Sequence, residues 1–115
     1  MAENKLADLS TDFAVHILEL TDGIKGHYSL SNQLERSGTS IGANIAEAQR
    51  AQSTADFVAK MKIALKEANE TQYWLQLLHE TNYITEKEFT SVHNDLLEIL
   101  KILTAICKHY PQRNQ

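Results

Sequence analysis

The chain has 115 residues, 43% of them apolar and 23% charged, with four Gly and one Pro; it is long enough for one domain with a buried core and too apolar for a disordered segment. Its formal net charge of -4 at pH 7 argues against binding nucleic acid through bulk electrostatics and leaves only a local basic patch for that purpose. The single cysteine, Cys107, excludes an internal disulfide, no apolar run nears the roughly 18 residues of a membrane span, and the opening Met-Ala-Glu-Asn-Lys-Leu-Ala-Asp has no apolar signal core, so a cytoplasmic protein without a membrane partner is expected.

Leu6, Leu9, Phe13, Ile17 and Leu20 recur three or four apart, the spacing that stacks side chains on one helical stripe. Asp22-Gly23 predicts the stop of this first helix. After a loop through Lys25-Gly26-His27, Ser29 is the expected N-cap of a second helix with the stripe Leu30, Leu34, Ser37/Gly38, Ile41, Ile45 and Ala48. Gln52-Ser53-Thr54 breaks the chain again. Ser53 is the predicted cap, with Asp56 at N3, of the longest helix, whose stripe is Phe57, Met61, Ala64, Leu65, Ala68, Leu75 and Leu78. Asn82 suits a left-handed stop, and Thr85-x-x-Glu88 reads as a capping box opening a fourth helix with Phe89, Val92, Leu96, Leu100, Leu103 and Cys107. Pro111 is expected to end it. Short connections force consecutive helices to lie antiparallel, so the predicted fold is all-α: a single-domain, antiparallel up-down-up-down four-helix bundle over residues 1–115.

Two helices carry small or apolar residues on a second face. With Ile41 and Ile45 in the core, Thr39, Ala43 and Ala46 point nearly opposite, and Ile63, Trp74 and Leu77 project away from the Phe57-Met61-Ala68 stripe. Such faces mark a partner surface, so these six residues form the expected oligomer interface. Gly42, lacking a side chain, is expected to admit a neighbouring helix closely.

Gly38-x-Ser40-x-Gly42 matches the spacing of a hydrolase nucleophile elbow, yet an elbow needs a strand before the serine and this stretch reads as helix. No catalytic residue is assigned, and the chain is not expected to be an enzyme. A di-iron bundle requires Glu-x-x-His pairs, whereas the residues three before His16, His79, His93 and His109 are Phe13, Gln76, Thr90 and Ile106. No metal or cofactor site follows. Cys107 reads as a small hydrophobe on an apolar stripe. Asn44 and Glu47 share one side of the second helix, and with Glu67 and Glu70 they could build a polar network between helices or subunits. Asp56 with Lys60 and Lys66 with Glu70 have the spacing of surface pairs within one helix. Arg36, Arg50, Lys62 and Lys66 are the candidate nucleic-acid contacts.

Ser40-Ile41-Gly42-Ala43-Asn44-Ile45-Ala46-Glu47 resembles the Ser-Ile-x-Ala-Asn-Ile-Ala-Glu signature of four-helix-bundle proteins encoded in intervening sequences of bacterial large-subunit ribosomal RNA genes. A second block, Phe57 through Ile63-Ala64-Leu65-Lys66-Glu67-Ala68 to Glu70 and Leu75, is similar to that family's third helix, and Leu78 through Tyr83-Ile84 to the turn beyond. The resemblance singles out Ser40, Gly42, Asn44, Glu47 and Glu70 as motif residues. It also implies a ring-like homo-oligomer, because the family includes accessory variability determinants of diversity-generating retroelements, which look like homopentamers that bind a reverse transcriptase and nucleic acid. Those relatives resemble strongly basic binders, whereas this chain is acidic. The expected function is therefore a non-enzymatic homo-oligomeric scaffold; the alternative is an accessory protein binding RNA, DNA or a reverse transcriptase.

Overall fold

The computed structural model describes residues 2–110. Long stretches free of Pro become four α-helices: α1 (Ala2–Asp22), α2 (Tyr28–Gln49), α3 (Thr54–Glu80) and α4 (Glu86–His109). Among the described residues there is no strand, and no helix is long and apolar enough to cross a membrane. Pro111, expected to end α4, lies outside the described residues.

The buried positions follow a stricter rhythm than a generic amphipathic stripe. The seam consists of Leu6, Ser10, Phe13, Ile17 and Leu20 on α1; Ser31, Leu34, Gly38, Ile41, Ile45 and Ala48 on α2; Met61, Ala64, Ala68, Thr71, Leu75 and Leu78 on α3; and Val92, Leu96, Ile99, Leu103 and Ile106 on α4, with Thr21 and Ser37 buried next to it. Steps of three and four alternate throughout, a period of 3.5 that keeps one narrow seam facing its neighbours and gives coiled-coil-like packing. Leu9, Leu30, Phe57, Leu65, Phe89, Leu100 and Cys107, expected on the stripes, lie half-buried beside the seam and pack against the core from its flanks. Their places in the seam go to Ser10, Ser31, Thr71, Ile99 and Ile106, because the 3.5 period selects position regardless of polarity.

Cross-helix partners establish the direction of each helix. Along α2 and α3, Arg36 meets Glu67 and Glu70, Ser37 meets Thr71, and Glu47 meets Lys60. One number rises as the other falls, which is antiparallel pairing. Gln72 with His93 and His79 with Glu86 show the same for α3 and α4, and Thr21 with Glu35 fits it for α1 and α2. Helix α1 contacts α4 and closes the bundle.

Three of the expected helix ends have the expected chemistry. Ser53 Oγ accepts from Asp56 N at 3.0 Å, and Thr85 and Glu88 bond reciprocally at 3.0 and 2.8 Å, while Asn82 takes the left-handed conformation with φ 66°. The start of α2 differs. Ser29 is not its cap; the cap position lies two residues earlier, at His27, whose φ of 44° follows Gly26 at φ 84°. Two successive left-handed residues turn the chain sharply, so the His27 carbonyl already accepts from Leu30 N and Ser31 N at 3.0 and 3.1 Å. The Tyr83 ring stands edge-on to the His27 ring at 4.8 Å and buttresses that turn from the α3–α4 loop.

The closest inter-helix approach at a glycine is at Gly38 rather than Gly42. A Cβ on Gly38 would lie 3.1 Å from two carbons of Ile17, which is fully buried, whereas one on Gly42 would meet Ser10 at ordinary contact distances of 3.4–3.6 Å. The helix admitted is α1 of the same chain. Gly38→Ala is therefore expected to lower stability by about 1–3 kcal/mol through overpacking against Ile17. Gly42→Ala should raise it by up to about 1 kcal/mol, because alanine is the better helix former and fits the space. Urea unfolding of the two variants, followed by circular dichroism, checks both signs.

Candidate functional site

The polar groups singled out in the sequence converge on the outer seam between α2 and α3, with partners other than those expected. Arg36 is the hub. Its guanidinium reaches Glu67 Oε1 at 3.2 Å and contacts the Glu70 carboxylate, and its Nε donates to Gln33 Oε1 at 3.1 Å. The Trp74 indole N–H donates to the same Glu70 oxygen at 3.4 Å. Glu67 is only 18% exposed, so an unpaired carboxylate there would be costly and the arginine offsets that cost. Asn44 stays outside the network: its amide donates to the Ser40 carbonyl of its own helix at 2.8 Å. Glu47 pairs instead with Lys60 at 3.1 Å.

The expected pairs within α3 are replaced by pairs between helices. Lys60 turns to Glu47 rather than Asp56, whose carboxylate accepts from Gln52 N at 3.4 Å, and Glu70 turns to Arg36 rather than Lys66. Ser40 sits in mid-helix with its hydroxyl donating to the Arg36 carbonyl at 2.7 Å. The Gly38-x-Ser40-x-Gly42 spacing thus belongs to a continuous helix and not to a strand-to-helix elbow.

Of the expected interface residues, Ala43 and Ala46 are exposed, Thr39 is half-buried with its hydroxyl donating to Glu35 O at 2.8 Å, and Ile63 is 40% exposed. Trp74 and Leu77 are half-buried, and Trp74 packs against the core while its neighbour Tyr73, edge-on to it at 5.1 Å, faces outward. Sequence periodicity missed Tyr73 as the exposed aromatic of this surface; its place on one row with Ile63 and Lys66 was the available signal.

Among the candidate nucleic-acid contacts, Arg36 is committed to two carboxylates, Arg50 is exposed at the C-cap of α2, Lys66 is exposed, and Lys62 is half-buried near Cys107. Burial pushes the Cys107 thiol above its ordinary range, and the Lys62 charge offsets part of that rise. Three rings stack unexpectedly between α3 and α4: Phe89 lies between His79 and His93 at centroid distances of 4.1 and 4.8 Å. His79 also meets Glu86 at 2.8 Å, and His93 meets Gln72 at 3.1 Å. No cluster of three or more His, Cys, Asp or Glu side chains suited to a metal occurs among the described residues. One open surface hollow at the bundle end is lined by Asn4, Gln52, Phe57 and Tyr110, and another between α1 and α2 by Leu18, Tyr28 and Glu35.

A continuous 3.5-period seam, antiparallel neighbours and polar pins between helices define a small four-helix-bundle protein. The chain belongs to the 23S rRNA-intervening sequence protein family, which matches residues 2–105. It is also similar to a solved structure described as a protein with unknown function from the S23 ribosomal protein family of Bacteroides thetaiotaomicron VPI-5482. The two are 51% identical, with a TM-score of 0.88 over 94% of this chain and 99% of the other. Comparison with curated proteins gives no match.

Arg36→Met should lower stability by about 1–2 kcal/mol, most of it the cost of leaving Glu67 unpaired. The Arg36→Met/Glu67→Met double variant should recover at least half of that loss, and thermal unfolding of these two variants and of Glu67→Met completes the cycle. At pH 7, the raised thiol should make Cys107 react with iodoacetamide more slowly than free cysteine, as mass spectrometry over time will show.

Proposed function

We propose that the protein is a non-enzymatic scaffold that acts as a homo-oligomer in the cytoplasm. The observation that carries this reading is the outer surface of α2 and α3, where Ala43 and Ala46 are exposed in place of the charged residues a solvated helix usually presents, and where Ile63 and Tyr73 stand 40% and 57% exposed. Apolar surface of this kind gains free energy when a second protein covers it. The polar chemistry nearby favours a structural use as well: Arg36, Glu67 and Glu70 satisfy one another, and Ser40 bonds to its own helix. A ring of subunits, and five as their number, rest on the resemblance to the retroelement accessory proteins. A protein partner is preferred over nucleic acid because the net charge is -4 and Arg36 is held by carboxylates.

Light scattering coupled to gel filtration, at tens of micromolar protein, should give a mass several times the 13.0 kDa chain. A single species at the monomer mass would refute the reading.

A further inference from the structure

From Leu6 to Glu35 the chain carries five carboxylates, Asp8, Asp12, Glu19, Asp22 and Glu35, against the single lysine Lys25. The ion pairs among the described residues involve none of the five. Three of them meet: Glu19, Asp22 and Glu35 line the hollow between α1 and α2, a space of about 560 Å³, which is the size of a small-ligand site. Helical spacing brings them there, since Glu19 and Asp22 are three apart at the end of α1 and Glu35 lies two turns beyond Tyr28 on α2. Thr21 Oγ1, 3.4 Å from Glu35 Oε1, ties the α2 carboxylate to the α1 side. Asp22 is the last residue of α1, where the helix dipole favours a cation, yet the last turn holds no basic residue.

A hydroxyl in the same hollow points to a ligand independently of these charges. The other buried hydroxyls, Ser10, Thr21, Ser37 and Thr71, are each hydrogen-bonded within the chain. Ser31 is not: it is only 5% exposed and lines the hollow, but its Oγ has no hydrogen-bond partner among the described residues. Every fully enclosed side-chain oxygen among those residues has a partner, so the Ser31 oxygen opens onto the hollow and offers its lone pairs to a donor from outside. Leu18 and Tyr28, 46% and 63% exposed, add aliphatic surface and an aromatic ring to the lining. Acceptors without donors beside apolar surface suit a cation with an apolar body. That cation is not a compact one, because no three acidic, His or Cys side chains among the described residues are grouped as a metal ion requires. Positive charges spaced along a methylene chain match carboxylates that are set apart.

We propose that the α1/α2 hollow binds a linear aliphatic polyamine, with its ammonium groups on Glu19, Asp22 and Glu35, a donor to Ser31 Oγ, and its methylenes against Leu18 and Tyr28. All of these residues belong to one chain, so the site is independent of the homo-oligomer reading above. A single alkylammonium, such as a lysine side chain from another protein, would leave two of the three carboxylates unpaired.

Calorimetric titration of the full chain with spermidine at low ionic strength should show saturable binding of one ligand per chain. Asp22→Asn/Glu35→Gln should weaken it by about tenfold or more, and Ser31→Ala by about threefold. Asp8→Asn/Asp12→Asn removes the same charge from exposed positions of α1 outside the hollow, and should leave the affinity within about twofold. n-Butylamine, which brings one ammonium group as a lysine side chain does, should bind about tenfold more weakly than spermidine or worse. Circular dichroism confirms that each variant keeps its helices. No binding by the wild type, equal losses in the two double variants, full affinity in Ser31→Ala, or n-butylamine binding as tightly as spermidine would each overturn the proposal.

Discussion

The structure depends on how closely α2 can be approached from both sides. At Gly38 there is no side chain to hold Ile17 away, and at Gly42 none to hold Ser10 away, so α1 lies close against one flank. On the other flank Ser37 and Thr71 meet through a hydroxyl pair at 3.0 Å in the buried seam. Small residues at a helix contact shorten the distance between axes. Only at that distance can Arg36 span to Glu67 and Glu70, and Lys60 to Glu47.

Hydroxyls in a hydrophobic seam would be a liability if left unpaired, at about 1–3 kcal/mol each. This chain meets the demand locally. Ser10 Oγ donates to Ala7 O, Thr71 Oγ1 lies 2.7 Å from Glu67 O, and Ser37 Oγ lies 3.4 Å from Leu34 O. No buried side-chain N or O among the described residues lacks a partner. The contact between Ser37 and Thr71 therefore adds little net energy; its contribution is to register, because sliding α3 by one turn would place each hydroxyl against a methyl group.

Four helices, their direction and most of their ends were legible from residue spacing alone, since caps such as Ser53 and Thr85/Glu88 act within four residues of themselves. The α2 start was not, because the turn there is made by backbone at Gly26 and His27 and not by a side-chain cap at Ser29. Ser10, Ser31 and Thr71 escaped a search for apolar stripes although they occupy seam positions of the same period. Partner choice was the least legible layer. Whether Glu70 finds Lys66 on its own helix or Arg36 on the next depends on the axial offset of two helices, and Asn44, at the seam's edge, prefers a carbonyl four residues back. Similarity between sequences locates such residues without saying what they touch.

The uneven distribution of side-chain volume also sets the direction in which each helix can drift. Gly38, Ser37, Ala64 and Ala68 occupy buried sites with almost nothing to remove, so most replacements there add atoms to a packed interior, most tightly at Gly38 against Ile17. Leu96, Ile99 and Leu103 on α4 are already large, and replacements there mostly open cavities. A loss of volume on α4 cannot be repaired from α2, because the bundle's order places those helices diagonally apart. Compensating changes should therefore arise between helices that touch, α1 with α2, α2 with α3, α3 with α4 or α4 with α1, which makes the contacting pair, and not the single helix, the unit of tolerated variation.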